Sequence, residues 1–245
     1  MKAILLVAGY ATRLYPLTIN KPKALLTVNN KPILDYIFDE IETIDDIDQV
    51  YVITNDRFYM DFCDWKQSKN SNIPIEVVND GTDSDENKLG AIGDIRFLIE
   101  EEKIDDDVVI IAGDNLFTYK LKDMFDFYKK VDRDLLCAHE LQNENELKRM
   151  AIALLDEKGK VLDLEEKPEK PKSNTAVYAT YMYKRETLQF FNEYIKAGNK
   201  SDAPGYFPAW LYKRKDVYAF VFKGECYDIG TPQAYAEVQE IFKYK

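Results

Sequence analysis

The sequence predicts an α/β protein, with a mixed, mostly parallel central sheet between two layers of helices. Three observations predict it. In the first half, short apolar runs alternate with segments of helical spacing, the rhythm of a parallel sheet with crossover helices. In the second half, strand-like runs follow one another with few helices between them, which adds antiparallel pairing. Of the 245 residues, 46% are apolar, with 17 Tyr and 13 Phe, enough to fill a large core.

Lys2–Ala8 is short, apolar and ended by Gly9, which reads as a buried strand. Pro32–Ile44 places Ile33, Leu34, Ile37, Phe38, Ile41 and Ile44 at helical spacing. Gln49–Thr54 and Pro74–Val78 read as further strands, with a short helix over Arg57–Gln67. A helix is expected over Asn87–Glu102, with Leu89, Ile92, Ile95, Leu98 and Ile99 on one side, and a fourth strand at Val108–Ala112. Beyond it, Asp134–Leu141, Ala151–Asp156, Val161–Glu166 and Ala176–Tyr183 read as strands, with a hairpin turn at Asp156–Gly159. Helices near Glu186–Lys196 and Phe207–Lys213, a strand at Val217–Phe222 and a helix from Pro232 to Tyr244 complete the chain. No Gly/Ser-rich or Pro-rich linker divides it, so a single domain is expected.

Composition excludes several classes. Lys and Arg total 33 against 44 Asp and Glu, a net charge of −11. Such a surface is unsuited to a nucleic-acid backbone, which rewards dense positive charge. No apolar run approaches the roughly 20 residues of a membrane span, and none follows the pattern of a secretion signal. Neither nucleic acid nor membrane is therefore expected as a partner. Three distant cysteines without a CxxC pair give no disulfide framework, so a reducing cytoplasm is expected. A single histidine, His139, leaves no Ser-His-Asp triad and reads as structural. The acidic runs at 45–48 and 100–107 read as solvated loops.

Residues 7–32 (VAGYATRLYPLTINKPKALLTVNNKP) carry the densest chemistry. Ala8, Gly9, Tyr10, Ala11, Thr12 and Arg13 directly follow the first strand. Small residues let backbone N–H groups approach an anion, and a concave nest of them binds phosphate. Arg13 and Lys23 add positive charge within reach. Taken alone, the loop also fits an ordinary βα turn, and it is neither a GxGxxG nor a Walker-type P-loop.

In its full extent this segment resembles the opening of the sugar-phosphate nucleotidylyltransferases, the thymidylyl-transferring members most. Gly9, Thr12, Arg13, Leu14, Pro16, Leu17, Thr18, Pro22, Lys23, Leu25, Val28, Lys31 and Pro32 fall on that family's pattern. Ala8 and Ala11 replace two of its glycines. Because alanine disfavours positive φ, a slightly altered loop is expected. Later matches come in order: Asn87-Lys-Leu-Gly-Ala-Ile92, Ala112-Gly-Asp-Asn115, Leu164-Glu-Glu-Lys-Pro168, Pro171–Val177 and Cys226-Tyr-Asp-Ile-Gly-Thr-Pro232. The resemblance runs from residue 2 to about 238. A C-terminal β-helix like that of some relatives is not expected within these 245 residues.

The resemblance implies a Rossmann-like fold of the nucleotide-diphospho-sugar transferase type. One catalytic domain would span 1–245, with 1–115 as nucleotide-binding half and 116–245 as sugar-phosphate-binding half. It implies that an NTP and a sugar 1-phosphate give an NDP-sugar and pyrophosphate, with Asp114 and Asp228 as ligands of Mg²⁺. Arg13, Lys23 and Asp114 would be catalytic. Asn115, Ala151, Glu166, Lys167, Ala179 and Tyr181 would surround the sugar phosphate. Asn79, Asn87 and Gly90 would meet the base, with dTTP or UTP favoured. Ala151 and Ala179 stand where relatives often have glycine, which leaves the sugar open. A cytidylyltransferase acting on phosphocholine or a similar alcohol phosphate is the alternative, and a catalytically silent regulatory homologue a further one. Assembly as a homo-oligomer is left open.

Overall fold

The structure is a computed structural model that describes residues 1–242. By contacts the chain groups into two compact units: residues 1–89, 111–122 and 224–242 form the first, and residues 90–110 and 123–223 the second. This division differs from a cut at residue 115. Residues 116–122 and 224–242, Asp228 included, pack with the N-terminal part, whereas Gly90 packs with the later one.

The first unit is built on parallel strands Lys2–Leu6, Gln49–Thr54 and Ile75–Asn79, with Lys2 opposite Gln49 and Val50 opposite Ile75. Their apolar runs are buried, as strands covered on both faces require. The helix Ile33–Ile41 ends three residues earlier than its spacing predicts. The Thr43 hydroxyl donates to the Glu40 carbonyl and closes the last turn, while Ile44 is buried beyond it. The expected helix at 57–67 is a 3₁₀ turn, Asp56–Phe58, running into an α-helix, Tyr59–Gln67. The Asn55 side chain caps that turn by accepting from the Phe58 N–H.

Two small ladders escaped the sequence reading. Thr27–Val28 pairs with Lys31–Pro32 through Asn29 and Asn30, both left-handed, the backbone a two-residue hairpin needs. Asn115–Phe117 pairs antiparallel with Cys226–Asp228, setting Asn115 opposite Asp228. The last helix is Pro232–Ile241, capped by Thr231; positions 243 and 244 of the expected helix lie outside the described residues.

The second unit mixes strand directions, as expected. Thr175–Tyr183 runs antiparallel to both Asp134–Glu140 and Ala151–Leu155, and Val161–Glu166 antiparallel to Ala151–Leu155. Val217–Val221 lies parallel to Asp134–Glu140. The hairpin turn at 156–159 forms with Gly159 at φ 84, and the Asp156 carboxylate accepts from the N–H groups of Lys158 and Lys160. The expected helix at 87–102 begins only at Ala91, because Gly90 at φ 78 sets its start, and it ends at Glu101. The helix Leu121–Val131 was missed, although Leu121, Met124, Phe125 and Tyr128 follow helical spacing and are buried. Helices Gln189–Lys196 and Tyr206–Leu211 pack through Phe191 stacked on Phe207, ring centres 3.8 Å apart. Parallel pairing in the first unit and mixed pairing in the second give the α/β class that the sequence predicts.

Candidate functional site

In the first unit, the chain leaves the strand Lys2–Leu6 into a loop pinned from behind. Asn55 Nδ2 donates to the Ala8 carbonyl at 2.8 Å, and Thr18 Oγ1 donates to the Ala11 carbonyl at 2.8 Å. Ala8 and Tyr10 turn inward; the Tyr10 hydroxyl lies 3.4 Å from Thr82 Oγ1, and burial pushes the phenol up. Gly9, Thr12 and Arg13 are exposed. A Cβ at Gly9 would meet no heavy atom within 4 Å. Among the described residues, no carbonyl accepts from the amides of residues 9–13. Consecutive unspent amides are what an anion-binding nest requires.

Ala11 takes the left-handed conformation itself, φ 48 and ψ 41, with its methyl group attached. The Thr18 bond and the 2.9 Å bond from the Leu14 N–H both end on the Ala11 carbonyl and hold it there.

Lys23 stands in a 3₁₀ turn, Lys23–Leu25, with its side chain 10% exposed. Its ammonium lies 2.9 Å from Asp114 Oδ2 and 3.5 Å from Asp228 Oδ1. The Asn115–Asp228 register explains how two distant aspartates reach one amine. Apolar neighbours fix each charged residue: Leu14 follows Arg13, Leu116 lies two beyond Asp114, and Ile229 follows Asp228. All three belong to one buried cluster with Val28, Ile33 and Phe242. Arg13 is close as well, since a Cβ at Gly230 would lie 3.7 Å from Arg13 Nη2 and 3.5 Å from Asp228 Oδ2. Two carboxylates converging on one cationic centre form a hard-oxygen donor pair of the kind that holds Mg²⁺, which usually takes only one or two carboxylates. Among the described residues, no group of three or more His, Cys, Asp or Glu side chains could hold a metal ion.

In the second unit, Glu166 ends its strand opposite Ala151. Its side chain is 7% exposed, and its one partner among the described residues is the Lys167 ammonium, 3.6 Å away. Burial pushes its carboxyl up; Lys167 opposes this and the Asp202 charge adds to it. Lys167 sits at φ 51, held by its N–H donating to the Met150 carbonyl at 3.0 Å. Tyr181 is buried on the strand Thr175–Tyr183, which the strand Ala151–Leu155 separates from that of Glu166; it lies beyond a bulge that takes in Ala179, and burial followed by the Glu166 charge raises its phenol.

Other sequence candidates are occupied within the protein. Asn79 donates to Asp56 Oδ1 and accepts from the Gly81 N–H. Asn87 ties its own loop through Ser84 and Asp83. Asn115 is buried in the ladder beside Asp228. His139 stacks on Phe222 and bonds its carbonyl, a structural arrangement. A cavity of about 580 Å³ opens beside Arg96, Glu100, Asp105 and Arg185, away from all these residues. Its guanidinium groups are already paired, Arg96 with Glu100 at 2.7 Å and Arg185 with Asp105 at 2.6 Å, so it offers a phosphate little free charge. Sequence reasoning missed Gly205, whose contact with Glu166 no local pattern announces.

The family match decides the broader question, because it covers residues 2–244. The chain belongs to the nucleotidyl transferase family. A Sulfolobus acidocaldarius protein named as a candidate mannose-1-phosphate guanyltransferase is 27% identical over 97% of the chain and 62% of its own length. The UTP–glucose-1-phosphate uridylyltransferase AglF of Haloferax volcanii is 27% identical over 75% of the chain and 72% of its own length. The chain thus spans about three-fifths of the first relative, and 52% of the bifunctional protein GlmU of Methanocaldococcus jannaschii. Among solved structures, a UDP-glucose pyrophosphorylase complexed with UDP-glucose is similar over 98% of the chain and 97% of its own, with TM-score 0.82 and 22% identity. A candidate glucose-1-phosphate thymidylyltransferase from Bacillus anthracis gives TM-score 0.79 at 23% identity, over 100% of the chain and 98% of its own. These two likenesses establish the fold of this family member.

Proposed function

We propose that the protein joins a nucleoside triphosphate to a sugar 1-phosphate, releasing pyrophosphate and an NDP-sugar, with dTTP or UTP as the favoured nucleotide. The observation that carries this reading is the Lys23 ammonium between Asp114 and Asp228, beside a loop of unspent amides. An oxygen of the sugar phosphate would bond to the α-phosphorus, and the bond from that phosphorus to the β-phosphate oxygen would break. The nucleophile is already an anion, so no general base is needed. The obstacle is repulsion between polyanions and the charge gathering on the phosphates, which positioning and neutralisation relieve. The amides of residues 9–13 and Arg13 would hold the β- and γ-phosphates. Lys23 would stabilise charge near the reacting centre. Asp114 and Asp228 would hold Mg²⁺, which supplies further neutralisation of the triphosphate when bound. In the second unit, Lys167 would hold the sugar phosphate and Glu166 would accept hydrogen bonds from sugar hydroxyls. A buried carboxylate with one partner at 3.6 Å has unused lone pairs for that purpose.

The test is a pyrophosphate-release screen of ATP, CTP, GTP, UTP and dTTP against hexose 1-phosphates and phosphocholine, with Mg²⁺. Turnover of a hexose 1-phosphate, highest with dTTP or UTP, is expected. Fastest release from CTP and phosphocholine, or none from any pair, would overturn the reading. Lys23→Ala should lower kcat by roughly 10²–10³-fold, as for a lost transition-state donor. If Asp114 and Asp228 serve one ion, the Asp114→Asn/Asp228→Asn double variant should lose far less than the product of the single losses.

A further inference from the structure

Gly205 has no conformational reason to be glycine. It precedes the helix Tyr206–Leu211 at φ −69 and ψ −16, a backbone any residue adopts. Its reason is space. A Cβ built on it would overlap the Glu166 carboxylate, lying 3.0 Å from Glu166 Cδ and 3.1 Å from the Ala151 Cβ. The Glu166 carboxylate thus lies against the bare backbone of residue 205, and the same space is bounded by the Ala151 methyl group.

The wall at 205 is itself anchored. The Ser201 carbonyl accepts from the Ile92 N–H at 3.0 Å, and the Asp202 carbonyl from the Ala91 N–H at 3.5 Å. At Gly90 a Cβ would lie 2.6 Å from the Ser201 oxygen, so that end also depends on a missing side chain. The Tyr194 hydroxyl donates to the Lys200 carbonyl at 2.6 Å. Segment 200–205 is therefore bonded to two helices of its own unit, and its far end sets how close the backbone comes to Glu166.

We propose that Gly205 is a positioning residue that fixes the Glu166 carboxylate for sugar recognition. Glu166 has no strong partner to orient it, so packing supplies the orientation that hydrogen bonds supply elsewhere. The inference rests on the reading of Glu166 as the sugar-hydroxyl acceptor. Any side chain at 205 drives the carboxylate out of place.

Kinetics on the full chain with its best nucleotide and sugar 1-phosphate test this. Gly205→Ala should lower kcat/KM for the sugar phosphate by about 10²-fold, the scale of a misplacement near 1 Å, and leave KM for the nucleotide within twofold. Glu166→Asp in the same background, one methylene shorter, should vacate the overlap and restore sugar-phosphate kcat/KM about tenfold over Gly205→Ala. A Gly205→Ala enzyme with unchanged sugar kinetics overturns the proposal. So does a double variant no better folded and no more active than Gly205→Ala, since the overlap would then not lie with the carboxylate. Glu166→Gln separates the two levels: if it leaves sugar kinetics intact, the reading of Glu166 fails. If it damages them while Gly205→Ala does not, only the positioning role fails.

Discussion

Two carboxylates of the second unit share an address and differ in employment. Asp134 begins one strand and Glu166 ends another; both side chains are nearly or fully buried, and burial pushes both carboxyls up. Asp134 accepts from the Lys184 N–H at 2.8 Å and from Thr187 Oγ1 at 2.9 Å, and lies 2.9 Å from the Lys215 ammonium. Glu166 faces a single half-exposed lysine at 3.6 Å. A saturated buried carboxylate is a structural joint, because removing it strands its donors. An under-used one costs the fold a desolvation that its single lysine only partly offsets.

The sharpest break of this contrast is Asp134→Ala. It leaves the Thr187 hydroxyl without its acceptor and, among the described residues, the Lys215 ammonium with only the Thr187 oxygen at 2.6 Å and Glu186 at 3.3 Å. Urea denaturation should show a loss of about 3–5 kcal/mol, while kcat/KM per folded molecule stays within twofold.

Glu166→Gln should behave in the opposite way. Sugar-phosphate kcat/KM should fall about 10²-fold, comparable with a lost oriented contact. Its stability effect depends on pH. The folded-state value lies above the ordinary 4.5, so the unfolded chain releases this proton first. Wild-type stability is therefore fully present below 4.5 and declines as pH rises through the elevated value. Glu166→Gln should match wild type in melting temperature at pH 4 and exceed it at pH 8. Equal melting temperatures at pH 8 would show that Lys167 fully offsets the burial of the Glu166 carboxylate.

Backbone strain extends the comparison with smaller effects. The hairpin turn at 156–159 uses glycine where φ is positive, and a Cβ on Gly159 would lie 3.0 Å from the Ala219 carbonyl. Gly159→Ala should cost about 1–2 kcal/mol by chemical denaturation. The functional candidates do otherwise: Ala11 and Lys167 hold φ 48 and 51 with side chains attached. Ala11→Gly should gain about 1 kcal/mol, read as a higher urea midpoint. Loss of stability instead would mean that the freedom glycine adds to the unfolded chain outweighs the strain it relieves.

Much of the fold was legible locally. The strands at 49–54, 108–112 and 161–166 have the predicted bounds: the first two are apolar runs with one economical burial, and the third buries only Val161 and Leu164. The three-residue ladder Asn115–Phe117 with Cys226–Asp228 was illegible, being too short for a period and joined across more than a hundred residues. The helix 121–131 carried a readable pattern and was passed over. Among the site candidates, charged residues were identified by type, but the commitments of Asn79 and Asn87 depend on neighbours such as Asp56 and Ser84.

By itself the sequence determined the α/β class, the family and the chemical kinds of residue in the loop after the first strand. Those follow from periodicity and from motifs contiguous along the chain. Tertiary structure alone decided that Lys23 meets both Asp114 and Asp228, that Asp134 is saturated and that the Glu166 carboxylate lies against the backbone of Gly205. Burial and hydrogen-bond satisfaction belong to a residue's neighbours in space, and for these carboxylates most of those neighbours lie tens of residues or more away in the chain.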